Sequence, residues 1–466
     1  MSLELALNTA RHALLAYQQA LDVTGHNIAN AHTPGASRQV VRLATTLPYT
    51  DPALHNAIQP GQIGTGVKVA DIRRVRSEAL DNQIWSETSG WGRQIALRDA
   101  LQQVEAVLAD PTTGGTSSAL RQFYQAMHDL SNNPASLGLR AIARQRAVAL
   151  AASFRRDYQS LVDQRTQLNQ QVNLKVDAVN DLARRVAELN AQIAKIKAVG
   201  DNPNDLQDRR DQLVEEMAQL VNITTWTDDL GRTSVFIGGV DLVRDGTVNA
   251  LTAAPDPLDP SVLQVQFSRD GQTAQITGGE IGGLLAVRDG YIPDTIDRLN
   301  ALVMEFINQV NALHRTGFTL SGAAGGDFFV AGGDAQSIAV DPAILSDAGN
   351  IAASSTSGAV GNGNVARAIA NLENVRFMDG GASTSEAYHR TTILQIAQAA
   401  QQAHADATTR ESVLTQLRAQ RQRVSGINID EELINLIRFQ RAFEANARLL
   451  TVVDSMMDTV INRMGA

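Results

Sequence analysis

The sequence predicts a mainly α-helical protein. Long coiled-coil helices lie at both termini, a helical-bundle domain lies between them, and a small β domain is inserted into the bundle. Three observations predict this. Apolar residues recur at steps of three and four at both ends and through the middle of the chain. Period-two segments bounded by Asp-Gly and Gly-Gly turns are confined to about 221–276. Aromatic residues are only 4% of the chain against 44% hydrophobic residues, which suits long helices with narrow seams better than deep pockets.

At 466 residues the chain is long enough for about two to four domains. The net charge of -9 argues against a nucleic-acid partner, whose binding surface would be basic. No stretch approaches the ~18 apolar residues of a membrane span. The first residues, Met1-Ser2-Leu3-Glu4-Leu5-Ala6, lack the basic and apolar regions of a secretory signal. There is no cysteine, so disulfides, thiolate catalysis and Cys-based metal sites are excluded. Either a cytosolic chain without need of thiols or a chain exported unfolded fits that absence.

The first helix is expected from a stripe at Leu3, Leu7, Ala10, Leu14, Tyr17, Leu21, Thr24 and Ile28, the 3.5-residue period of a coiled coil. Pro34-Gly35 ends it. Further helices are expected over about 92–108, 117–131, 136–199 and 205–220. Strands follow near 221–226, 233–237, 241–244, 262–267 and 273–276. Helix returns over 281–314, a Gly/Ala/Ser-rich loop over 317–363 carries a single strand at 337–340, and helices complete the chain. The last helix begins after Ser425-Gly426, with Asn428 and Glu431 in an N-cap arrangement. Its stripe runs Leu433, Leu436, Gln440, Phe443, Ala447, Leu450, Asp454, Met457 and Ile461, with Gln440 and Asp454 as polar interruptions. The layout is nested: the axial domain is 1–40 with 425–466, the helical domain 41–220 with 281–424, and the β insert 221–280. The two ends then pair, most simply antiparallel.

No constellation for catalysis is legible. Glu215/Glu216, Asp228/Asp229 and Glu431/Glu432 are sequence neighbours that point apart on a helix. His26 and His32 lack metal-ligand spacing. The oxygen-rich run Asp201, Asn202, Asp205, Asp208 lacks the glycine and terminal glutamate of a calcium loop and reads as caps and turns. Gly278 to Gly283 lacks both phosphate-loop spacings and reads as a join from β insert to helix. No cofactor and no metal is expected. The N-terminal stripe, packed on one partner helix alone, does not return the entropy of ordering its helix, so neighbouring chains are expected to complete its burial.

The sequence Asn27-Ile28-Ala29-Asn30-Ala31-His32-Thr33-Pro34-Gly35-Ala36-Ser37-Arg38-Gln39 resembles the N-terminal signature of the bacterial flagellar rod, hook and hook-associated axial proteins. Ala36 stands where an aromatic is usual. Ser425-Gly426-Ile427-Asn428 through Leu433, then Phe439-Gln440-Arg441-Ala442-Phe443, is similar to the closing helix of the same family. The internal runs Asn204–Leu213, Gly279–Leu285 and Phe306–Asn311 resemble the hook-associated branch that joins hook to filament. The family motif residues are thus Asn27, Asn30, Pro34, Gly35, Arg38, Gln39, Gly426, Asn428, Phe439 and Gln440. Leu3, Leu7, Leu14, Tyr17, Leu21, Ile28, Leu433, Leu436, Phe443, Leu450, Met457 and Ile461 are the expected subunit interface.

The resemblance implies a structural, non-enzymatic protein exported by the flagellar type III apparatus without a cleaved signal. It implies an extracellular place at the hook–filament junction, self-assembly in a helical ring, and terminal helices disordered before assembly. The implied neighbours are the hook protein and hook-associated protein 3, with an export chaperone on the C-terminal helix. The alternatives are a hook or distal rod subunit of the same family and, from another class, a secreted cell-wall hydrolase with borrowed axial termini. The β insert is expected to face outward as an independent unit, dispensable for axial assembly.

Overall fold

The structure is a computed structural model that describes residues 3–47, 64–108, 115–257, 259–260 and 262–460. Helix α1 spans Leu3–Asn30. Strands β1 (Gln39–Thr45) and β2 (Val67–Arg74) form an antiparallel hairpin with Val41 opposite Ile72 and a bulge after Arg42. Helices α2 (Glu78–Leu108) and α3 (Thr116–Asn132) lead to α4, Leu137–Ala198, which at 62 residues is the longest element described. Ser136 caps α4, its hydroxyl accepting the Leu139 N–H at 3.3 Å. Helix α5 is Asn204–Leu220.

Strands β3 (Thr224–Thr227), β4 (Thr233–Ile237), β5 (Val240–Arg244) and β6 (Thr247–Val248) form one antiparallel meander, and β7 (Leu251–Pro255) pairs with β8 (Leu263–Phe267). Helix α6 (Gly279–Ala286) passes through a π-turn, Val287–Tyr291, into α7 (Ile292–Arg315). Short helices α8 (Pro342–Ser346) and α9 (Asn364–Asn371) precede the long α10 (Ser385–Ser425) and α11 (Ile429–Asp458).

The mainly helical class expected from the sequence is the observed one. Three details differ from expectation. The hairpin of β1 and β2 was not anticipated, and it packs along α1 rather than in the body. Helix α2 begins at Glu78, well before 92. Its first half is rich in Ser, Thr and Gly, and Gly92 sits where a Cβ would lie 2.3 Å from the Gln219 carbonyl oxygen. That close approach to α5 explains a residue that otherwise speaks against helix. Residues 273–276 form no strand beyond one bridge from Thr273 to Gln266.

The β segment is also not a separate unit in its packing. Val235, Ile237, Leu242, Val243, Leu251, Val265 and Phe267 belong to the same continuous core as the α2, α3, α4, α6 and α7 side chains. Asn190 of α4 fixes the sheet by accepting the Thr233 N–H at 3.0 Å and donating to the Thr233 carbonyl at 2.8 Å. Asn180 does the same for Leu251, both at 2.8 Å. A buried amide that satisfies both backbone groups of one strand residue holds that strand in register.

Gly278 to Gly283 is the expected join, and its glycines have specific reasons. Gly279 has φ +68, and a Cβ on Gly283 would stand 2.4 Å from the Arg93 carbonyl oxygen, so α6 lies directly on the α2 backbone. Four of the aromatics, Phe123, Phe306, Phe328 and Phe329, interlock in the core with ring centroids 5.0–5.9 Å apart. The loop after α7 is irregular, with Phe329 bridged to Val340 where a strand was expected. Two buried side chains tie it down. Arg140 donates to the carbonyls of Pro134 at 2.8 Å, Gly349 at 3.2 Å, and Ile351. His314 meets the Gly326 carbonyl at 2.7 Å and accepts the Ala352 N–H at 2.8 Å.

Candidate functional site: the terminal helix pair and its joint

Helices α1 and α11 pair antiparallel. Asn27, near the end of α1, meets Glu432 at the start of α11, and the Tyr17 and Phe439 rings meet with centroids 6.3 Å apart two to three turns further along. The two predicted stripes meet different outcomes in this pair. On α11, Leu436, Phe443, Leu450 and Met457 are half-buried on the face toward α1, as their spacing suggests. The alternate positions fall one residue earlier than expected. Glu432, Phe439, Asn446 and Val453 occupy the seam, while Leu433, Gln440 and Asp454 are exposed. A seam stepping 432, 436, 439, 443, 446, 450, 453, 457 thus avoids both polar interruptions. Ile461 lies outside the described residues.

On α1 the residues Leu3, Leu7, Leu14, Tyr17, Leu21 and Ile28 are all half-buried. The fully buried line is Ala10, Ala13, Ala16, Ala20, Thr24 and Asn27, which keeps Ala10 and Thr24 of the expected stripe and lies about a quarter-turn around the helix from its leucines. Small side chains let helix backbones and a hairpin approach closely, and the larger leucines are left at the edge of the contact. The alanines are the signal for this line; the expected stripe took in Ala10 and Thr24 but passed over Ala13, Ala16 and Ala20.

The family motif residues assemble at one end of the pair. Asn27 is buried and fully used. Its amide donates to the Gln39 carbonyl at 2.9 Å and to Glu432 Oε2 at 3.0 Å, and its Oδ1 accepts the Gln39 N–H at 3.0 Å. Glu432, equally buried, takes the Arg38 Nε at 2.8 Å on its other oxygen, and Arg38 reaches Glu431 at 2.9 Å. Glu431 therefore serves an ion pair. Asn428 caps α11 by accepting the Asp430 N–H at 3.0 Å. Asn30 closes the end of α1, donating to the His26 carbonyl at 3.1 Å and accepting the Thr33 hydroxyl at 3.1 Å. The Pro34 carbonyl accepts from Gln212, and Gly35 has φ +82 with Gln212 where a Cβ would stand. A Cβ on Gly426 would lie 2.1 Å from the Gln422 carbonyl oxygen. Phe439 carries the Arg438 guanidinium 4.9 Å from its ring centre. Gln440 is exposed.

The body receives this end through one polar face of α5. Asn204 donates to Gln39 Oε1 at 3.2 Å and to the Ile72 carbonyl at 3.1 Å. Asp205 accepts from Gln39 at 2.7 Å. Asp208 accepts the Ser37 N–H at 2.8 Å, the Ser37 hydroxyl at 2.7 Å and Arg74 at 2.8 Å. Asp211 takes Arg74 at 2.7 Å and Arg210 at 3.0 Å. Burial would raise the Asp211 carboxyl, but Arg210, Arg74 and Arg76 together hold it below the usual carboxylate range. Glu215, one turn on, behaves alike: burial is outweighed by Arg421 and Arg418. The opposite face of α5, with Leu213, Val214, Met217 and Ala218, lies in the core.

Sequence reasoning read Asp205 and Asp208 as turn and cap residues and assigned no site role to Arg74, Asp208, Asp211 or Glu432. The available signal was a polar stripe at 204, 208 and 211/212 on a helix whose other face is apolar.

An antiparallel pair built from the two chain ends, joined by a short signature loop to a helical body, defines an axial subunit of the bacterial flagellum. Family models agree at each part. The flagella basal body rod protein model matches residues 7–36, and the flagellar basal body rod FlgEFG protein C-terminal model matches 418–464. The flagellar hook-associated protein FlgK helical domain model matches 101–329. Flagellar hook-associated protein 1 of Bacillus subtilis is 31% identical over 99% of this chain and 98% of its own length. The protein of that name from Escherichia coli is 26% identical over 98% and 99%. The flagellar hook junction protein FlgK of Burkholderia pseudomallei shares the fold, with TM-score 0.66 at 18% identity over 73% of this chain and 99% of that one. The chain belongs to the flagellar hook-associated protein 1 family. The two end models are shared with rod proteins, whereas the match over 101–329 is to the hook-associated protein.

Proposed function

We propose that the chain is a structural subunit of the hook–filament junction, without catalytic activity, assembled with copies of itself in a ring. Its neighbours on this reading are the hook protein on one side and hook-associated protein 3 on the other. It reaches that extracellular place through the flagellar export apparatus without a cleaved signal, with a chaperone on α11 beforehand. The working division is an axial part, 1–40 with 425–466, a helical body, 41–220 with 281–424, and the β segment 221–280.

The observation that carries the reading is the outer face of α11. Ile434, Ile437, Leu449, Val452 and Met456 are exposed there, opposite the seam that faces α1. Leu433 adds to it, and Leu3, Leu7, Leu14, Leu21 and Ile28 stand half-covered alongside on α1. A contiguous apolar strip of this length on a soluble chain calls for cover by other helices. Among the described residues no helix is long and apolar enough to cross a membrane. The deciding experiment is deletion of the gene. Cells should then carry hooks without filaments and shed filament protein into the medium. Normal filaments, or loss of the hook itself, would sink the junction reading.

A further inference from the structure

Strand β3 is the outer strand of its sheet, whose order is β3-β4-β5-β6. Its bonds to β4 have a fixed phase. The turn between them closes with the Asp228 N–H on the Arg232 carbonyl at 3.0 Å, and the pairs Trp226–Ser234 and Thr224–Phe236 fall in step with it. Thr225 and Thr227 therefore turn their N–H and C=O away from β4. Among the described residues nothing bonds to those four groups. Elsewhere the chain closes such positions, with Asn190 on Thr233 and Asn180 on Leu251. Helix α2 meets β3 at the Thr225 hydroxyl, which donates to Asn82 Oδ1 at 3.0 Å and leaves the edge itself open. A cleft of about 520 Å³ lies beside this edge, lined in part by Asn82, Trp85, Lys197, Thr225, Trp226 and Thr227. Trp226 is 63% exposed. The lining holds four cations against three carboxylates. Arg74, Arg76 and Arg210 are held by Asp208, Asp81 and Asp211 in turn, whereas Lys197 is in no ion pair among the described residues.

We propose that the open edge of β3 is a docking site for an extended acidic segment of a second polypeptide, which adds to the sheet as a further strand. Thr225 and Thr227 supply the main-chain bonds, which give affinity whatever the sequence of the guest. Trp226 supplies apolar contact of the kind that dominates binding surfaces. Lys197 takes the carboxylate, because it is the lining cation left without a partner. An exposed strand edge invites pairing unless it is covered, and this one is not. Strands β3 and β4 and helices α2 and α4 all belong to the body. The edge is therefore present whether or not the terminal helices are ordered, and it does not depend on the hook–filament reading.

The test uses the full-length chain and three soluble octapeptides of Thr, Val and Ser that differ only in a central Glu, Gln or Lys. Binding is read by anisotropy of the labelled peptide and by amide exchange over 222–228. The Glu peptide should bind about two- to fivefold more tightly than the Gln peptide, the worth of one exposed ion pair, and the Lys peptide least tightly. Bound peptide should protect the Thr225 and Thr227 amides. Thr225→Pro removes an outward N–H and leaves the β4 bonds in place, as proline does on an edge strand. It should weaken all three peptides about three- to tenfold, and Thr225→Val, which keeps the N–H, should not. Thr227→Pro is the second variant of this kind. Lys197→Gln should abolish the preference for Glu and leave the Gln peptide as it was; it lies off the strand and decides the matter if a proline variant melts early. The proposal is overturned if no peptide binds at about 1 mM, if folded proline variants bind as the unaltered chain does, or if Lys197→Gln keeps the preference. Self-association of the free chain that Thr225→Pro abolishes would make a second copy the guest and overturn the acidic segment.

Discussion

Asn27 and Glu432 are 405 positions apart in the chain, and their buried side chains share a hydrogen bond of 3.0 Å. Arg38 on the other Glu432 oxygen completes a contact that ties together α1, the signature loop and the first turn of α11. Removing the carboxylate takes one partner from each of two groups, while Arg38 keeps Glu431 and Asn27 keeps the Gln39 backbone. Glu432→Ala should therefore cost the terminal pair about 1–3 kcal/mol. In the assembled protein, hydrogen exchange should show lost protection in α1 and α11 only, with the body unchanged. Full protection of α11 in the variant would contradict this.

The alanine line gives a second test. Ala16 is buried between close-packed elements, and Ala16→Leu should force them apart at a cost of about 1–3 kcal/mol. Leu14→Ala, at a half-buried edge position, should disturb the isolated chain less and filament retention more. The reverse order, read by hydrogen exchange and motility, would place the seam on the leucines.

Phe443 is half-buried against α1. Phe443→Ala should leave the main melting transition in place and weaken filament retention. A large fall in that transition would place Phe443 in the body's core.

Because the β strands share the helical core, deleting 221–276 uncovers α4, against which β5, β6 and β7 pack. The deletion should lower the melting temperature of the body by many degrees. An unchanged transition would restore the independent, dispensable unit that the sequence suggested.

Acid should weaken the body in two stages. Burial pushes His389 down to about 4 and also pushes His314 below its ordinary value. A histidine lowered in the folded state costs nothing above the unfolded value of about 6.5. As pH falls below that, the unfolded chain binds the proton first, so stability is lost progressively toward the folded value. Asp211 and Glu215, both lowered, contribute stability above the unfolded carboxylate value of about 4, which is lost below it. The urea midpoint should thus be lower at about pH 5 than at about pH 7.5, and His389→Gln should flatten that difference. A midpoint independent of pH over this range would count against buried neutral histidines.

The sequence made the long helices legible because Ser136, Pro34-Gly35 and Asn428 punctuate strong three-four periods. The class of the fold and its nested order follow from those signals. The hairpin of β1 and β2 was missed because Gln39-Val40-Val41-Arg42-Leu43 alternates poorly: Val40 and Leu43 are both exposed. The seam was half legible. Leu436, Phe443, Leu450 and Met457 announce themselves, but a buried glutamate at 432 is visible only when Arg38 and Asn27 are known to face it. The joint was hidden for the same reason. Asp208 and Asp211 look like solvent-facing acids until β2 delivers Arg74, and no local pattern on α5 reveals a partner 134 residues away.

The bond from Asn27 to Glu432 also makes the subunit a check on its own completeness. A chain leaving the ribosome amino end first presents its alanine line and its signature loop long before α11 emerges. Until then the Asn27 amide, the Arg38 guanidinium and the close-packing face have nothing to close upon. A product of interrupted translation that lacks its last thirty-odd residues keeps a sound body and a useless tip. Length is thereby read by the geometry of the tip itself.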